Sequence, residues 1–137
     1  MADEAELVIE THIPITFTKA TGTAFEQGEL PKMTTGMVAA TSAGDSDIPA
    51  GVVHTEVTAD EASPSVSIYR GGIFRGTAGV AGVTVGEAIQ LDTATSSVNR
   101  LVDADVNSEQ IVGTCLETAA SGVQFLFELL PRSVDLA

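Results

Sequence analysis

The chain has 137 residues, 44% of them hydrophobic but only 4% aromatic and none of them Trp. A single domain of this length buries about two thirds of its unfolded surface, here around Val, Ile, Leu, Ala and five Phe. Nineteen acidic residues against six basic ones give a net charge of −13, a field that repels nucleic-acid phosphate and anionic lipid and argues against both as partners.

Residues 1–6 form a short acidic lead, expected to be disordered and unlike the basic, then apolar, start of a secretory signal. No segment approaches the ~20 apolar residues of a membrane span, so the expectation is a soluble, cytoplasmically made chain with no membrane partner. From Leu7 the pattern alternates, with Leu7, Ile9, Ile13, Ile15 and Phe17 on one face and Glu10, Thr16 and Thr18 on the other. Period-two spacing of this kind reads as strand, which Pro14 restricts to an edge or splits into two short strands. The reading is an extended N-terminal arm over residues 1–20, which either closes its own sheet or adds to a neighbour.

A single β domain over residues 21–137 follows, with pseudo-repeats at about 21–70 and 80–130. The first unit reads as short strands at 30–33, 37–40, 51–57 and 66–70, separated by polar loops at 42–49 and 58–64. In the third of these, Val53, Thr55 and Val57 alternate with Val52, His54 and Glu56. A bridging strand begins at Ile73 and leads into residues 77–85. The second unit repeats the order with strands at 88–91, 98–102, 111–117 and 123–130, the last ended by Pro131. Residues 103–110 have room for one short helical turn.

The repeat rests on two phrases. Gly28-Glu29-Leu30 matches Gly86-Glu87-Ala88, 58 residues on, and Gly51-Val52-Val53 matches Gly113-Thr114-Cys115, 62 residues on. Self-similarity constrains architecture before any residue has a role, and two copies are too few for a solenoid. The pattern therefore predicts two β-rich halves around one shared core. Short strands with frequent turns and no sustained helical period give an all-β fold, a compact small barrel.

Chemistry-bearing motifs are sparse. Cys115 is the only cysteine, so there is no intrachain disulfide, and its apolar neighbours make it a small buried hydrophobe. Asp45, Asp47, Asp60, Glu61, Asp103 and Asp105 lie in loops, but the twelve-residue calcium spacing is missing and solvated carboxylates explain them better. His12 and His54 lack a paired ligand spacing. Gly76, Gly79 and Gly82 precede neither a helix nor a Gly-Lys-Ser/Thr, so they read as turn and packing glycines rather than a phosphate loop. No Gly-x-Ser-x-Gly elbow occurs. The expectation is a protein that is not an enzyme and has neither metal nor cofactor.

Taken together, Thr23-Ala24-Phe25-Glu26-Gln27-Gly28-Glu29-Leu30, Pro49-Ala50-Gly51-Val52-Val53, Val83-Thr84-Val85-Gly86-Glu87-Ala88-Ile89 and Ile111-Val112-Gly113 resemble the small capsid decoration (cement) proteins of tailed viruses, across most of residues 20–130. That resemblance implies a β-tulip-like domain and a homo-trimer. It implies a place on the capsid exterior at three-fold and quasi-three-fold positions, where the protein binds the major capsid protein and stabilises the head. Members carry an extended arm that pairs with capsid strands. Here the matching segment makes Ile9, Ile13, Ile15 and Phe17 the expected interface, although an alternating apolar face is as often core. The acidic, Lys-poor composition suggests a virus of a halophilic host, since dense carboxylates keep a surface hydrated where salt screens their repulsion.

Two other readings are weaker. A carbohydrate- or host-surface-binding β module presents exposed Trp or Tyr to sugars, and this chain has only Tyr69. A biotinyl or lipoyl carrier needs a hairpin-tip Lys near the junction of its halves, and residues 71–99 contain no Lys.

Overall fold

A computed structural model describes residues 3–42, 47–59, 64–92, 99–104 and 110–133. Within them the chain is all-β and compact, with no helix. The strands are β1 (Glu6–Ile9), β2 (Ile15–Lys19), β3 (Lys32–Met33), β4 (Val38–Ala40), β5 (Val52–Val53), β6 (Ser65–Tyr69), β7 (Gly72–Ala78), β8 (Ala88–Leu91), β9 (Arg100–Asp103), β10 (Gln110–Cys115) and β11 (Gln124–Ser133). They form a five-stranded sheet in the order β3-β4-β2-β6-β5 and a six-stranded sheet in the order β1-β7-β11-β10-β8-β9. A further β7–β9 pairing closes β7, β11, β10, β8 and β9 into a ring, leaving β1 outside it.

The two sheets repeat one another rung by rung. Thr18 pairs in parallel with Val38, as Thr77 does with Arg100. Phe17 lies opposite Val66, as Gly76 lies opposite Phe125. Val53 faces Ile68, as Cys115 faces Phe127. The turns match too: Phe25 and Val57 exchange both backbone hydrogen bonds, and so do Val83 and Ala119. The backbone of one half is thus a copy of the other, while the side chains filling each have diverged.

Each half carries its own core, which corrects the expectation of one shared core. Phe17, Phe25, Ala39, Ala50, Val53, Val57, Val66 and Ile68 fill the first. The second is built mainly from Phe74, Ala78, Ile89, Leu91, Leu101, Val112, Cys115, Phe125, Phe127 and Leu129, joined by Ala5, Leu30, Val52 and Tyr69. Volume is exchanged between equivalent positions. Phe17 sits with Ala39 in the first half, and the matching pair in the second is Gly76 with Leu101. A side chain at Gly76 would meet Phe127 Cε1 at 2.9 Å and Leu101 Cδ1 at 3.4 Å. Close packing requires such compensation, because an added methyl group has nowhere to go.

Several strand limits depart from expectation for local reasons. β5 is only two residues long, and Val52 and Val53 are both buried where alternation places one outward. β5 lies between the halves, so Val52 joins one core and Val53 the other. β3 starts after Pro31, which has no N–H to give a ladder. β7 ends at Ala78 rather than running toward Val85, and the chain turns at Gly79–Gly82, where the Gly82 N–H bonds to Gly79 O. Pro131 does not end the last strand, because β11 continues to Ser133. The β10 register shifts between Ile111 and Gly113, opposite Arg132 and Leu129. This irregularity gives Pro131 a place where no ladder donor is needed. Residues 105–109, where a helical turn was expected, lie outside the described residues.

Candidate assembly surface

The N-terminal segment straps the two halves together. Ala5 N–H donates to Gly28 O at 2.8 Å in the first half. Asp3 pairs with Arg100 of the second half at 2.8 Å. β1 then pairs antiparallel with β7, Leu7 opposite Phe74. Residues 3–6 are therefore not the disordered lead their charge suggests: Ala5 is buried, because Gly28, at φ +87°, leaves room for its backbone alone.

β1 is the edge of its sheet. Val8 is the extra residue of a bulge, since Leu7 and Ile9 oppose the consecutive residues Phe74 and Ile73. A bulge and flanking charge, here Glu6 and Glu10, are how proteins blunt an edge against indiscriminate pairing. The following residues 10–14 cross to the other sheet, tethered where Tyr69 Oη donates to Glu10 Oε2 at 2.7 Å. Burial and this acceptor hold the Tyr69 phenol up at about 12.

The four apolar residues singled out from sequence do not share one face. Ile9 lies on β1, Ile13 in the crossing at 78% exposed, and Ile15 at the start of β2; all three are exposed. Phe17 is 1% exposed and belongs to the first core, opposite Val66 of β6. It cannot reach a partner without unfolding that half.

Between strap and first half lies a cleft of about 560 Å³, lined by Glu4, Glu6, Gln27, His54, Tyr69 and Phe74 among others. The His54 ring stands edge-on to Tyr69 at 5.1 Å. Tyr69 is buried, so the aromatic that a sugar-stacking reading needs at the surface is not there. Beside the cleft, Glu29 is 2% exposed, and its Oε2 has no hydrogen-bond partner. Desolvation first, then the nearby Glu26 and Glu4, push its carboxyl above the ordinary range, although the Glu26 N–H bonded to Oε1 pulls the other way.

The remaining sequence candidates fall apart in space. Cys115 is fully buried and donates to Glu117 O, with burial raising its thiol. The His12 ring covers Gly71. Asp47 pairs with Lys32 at 3.8 Å, and Asp103 accepts the Thr84 N–H. Asp45, Asp60, Glu61 and Asp105 lie outside the described residues, among which no three His, Cys, Asp or Glu side chains gather as a metal site. No helix is long and apolar enough to cross a membrane among those residues.

No protein-family model and no curated protein sequence matches the chain. Among solved structures it is similar to the head fiber gp8.5 N base of bacteriophage phi29, at 16% identity and a TM-score of 0.57, over 90% of this chain and 99% of that one. What the two share is a fold, a small all-β domain.

Proposed function

We propose that the chain is a structural component of a virus head, a small decoration protein that docks on the capsid exterior at three-fold and quasi-three-fold positions and stabilises the shell. The observation that carries this reading is the near end-to-end fold likeness to the base of a phage head fiber. Its partner is the major capsid protein, and it docks as a homo-trimer through the edge of β1 and the residues that follow, with Ile9, Ile13 and Ile15 as apolar contacts. No catalytic chemistry is involved. Many copies of a modest contact suffice, since simultaneous engagement multiplies affinity by roughly 10²–10⁴. The halophilic setting suggested by composition fits the same role, because salt lets many acidic copies stand side by side.

Co-sedimentation with undecorated heads of the virus that encodes the chain, in molar salt, tests the proposal. The full chain should pellet saturably, and Ile13→Asp should bind about tenfold more weakly, the loss expected for one buried aliphatic contact. Ile13 is so exposed that the substitution leaves the fold alone. A chain that stays in the supernatant at every salt concentration rules the reading out.

A further inference from the structure

The internal duplication provides a comparison within one molecule. In the first half, Gly28 sits at φ +87° under the N-terminal strap, with Ala5 and Glu4 against it, and its carbonyl takes the Ala5 N–H. Gly86 is its counterpart: each glycine donates its N–H to the matching strand, Gly28 to Val53 O and Gly86 to Cys115 O, and Gly86 has φ +86°. Yet the described residues place nothing within 4 Å of where a Gly86 side chain would begin. Among the described residues, one half has its cover and the other has none.

Side chains around the two glycines differ in the same sense. Gln27 and His54 flank Gly28 and line the cleft shared with the strap. Their counterparts beside Gly86 are Val85, 57% exposed, and Leu116, 38% exposed. Each adjoins one partner of the Gly86 N–H to Cys115 O hydrogen bond in sequence, Val85 in the turn that Glu87 N–H closes on Thr84 O and Leu116 just past the end of β10. Val80 and Val123 are exposed at the same end of the ring, where β7 stops and β11 begins. Apolar groups left open where the backbone is built to receive an extended segment mark an interaction surface rather than random exposure.

We infer that the Val85–Gly86–Leu116 surface receives an extended segment of another protein, in the way Gly28 receives the chain's own strap. The segment donates a backbone N–H to Gly86 O and seats an aliphatic side chain between Val85 and Leu116, a short form of strand addition. Charge selects its flanks. Glu117 follows Leu116 directly and Glu87 follows Gly86, and both are exposed, so the segment carries Lys or Arg beside its aliphatic residue. A second copy of this chain, at −13, is disfavoured by the same argument. The inference stands whether or not the partner is a capsid.

Backbone NMR of the full chain tests it with two synthetic peptides, an alternating Ala/Val segment flanked by Lys and the same segment flanked by Glu. The Lys-flanked peptide should shift the amides of Val85, Gly86 and Leu116 saturably. The Glu-flanked peptide should bind at least about tenfold more weakly, as should the Lys-flanked one to Val85→Glu, a variant whose remaining spectrum reports an intact fold. Absence of a saturable shift at these residues, equal binding of both peptides, or concentration-dependent shifts there without peptide would overturn the inference, the last by making a second copy the occupant. Because no head particles are used, failure of capsid binding leaves this outcome readable.

Discussion

Glu29 shows how much one side chain's setting can depend on distant chain. Its counterpart Glu87 is exposed, yet Glu29 is buried beside the cleft under the strap. The phrase Gly-Glu reads identically in both halves, and the tertiary surroundings distinguish them. Since its folded carboxyl titrates above the unfolded value, the folded state holds the extra proton between those two values. The stabilising effect is complete below the unfolded value and is lost as pH rises through the raised one. Glu29→Gln should therefore flatten the fall in stability over the pH range that begins at about 4 and runs up through the raised value, gaining on the parent toward its upper end. Urea melts across that range check this, and parallel curves for the two chains would mean Glu29 is not the group responsible. The Phe17/Ala39 and Gly76/Leu101 exchange carries the same lesson in volume. Each residue alone looks arbitrary, and the pair makes sense only once the rungs are aligned.

At the scale of elements, alternation identified strands well where one face meets core and the other meets water, as in β6 and β11. It misled at β5, whose two residues face two different cores. Pro131 was legible as a breaker, but the register shift that accommodates it depends on the partner strand. The N-terminal segment forms β1 and β2 on either side of residues 10–14, and the attachment of β1 to β7 of its own chain was one of two options the pattern left open. That attachment rests on a bulged edge strand with exposed Val8 and Ile9, so β1 should open before the ring does. Native-state hydrogen exchange should show β1 amides exchanging at a lower free energy than those of β7 and β11. Identical protection across the three strands would mean that strap and ring unfold as one unit.

For the whole molecule, charge and duplication set the terms. Several of its few cations are committed: Lys19 donates to Thr58 O, Lys32 pairs with Asp47, and Arg100 pairs with Asp3. Most of the −13 charge is thus self-repulsion, which favours expansion and is screened within about 3 Å at 1 M salt. The melting temperature should rise steadily from tens of millimolar to molar sodium chloride, and a flat response would separate the acidic composition from any need for salt.

The sequence by itself determined the β class, the doubling and the lack of a recognisable catalytic motif. Strand alternation and glycine spacing are local properties, and they survive whatever the rest of the chain does. It did not determine that there are two cores, that Phe17 is inside one of them, or that, among the described residues, the strap covers Gly28 and nothing covers Gly86. Those facts depend on which surfaces meet, and contacts between residues far apart along the chain leave no periodicity to read. The proposed docking surfaces lie in that second category, so a sequence in which the two halves look alike could not say which of them is open.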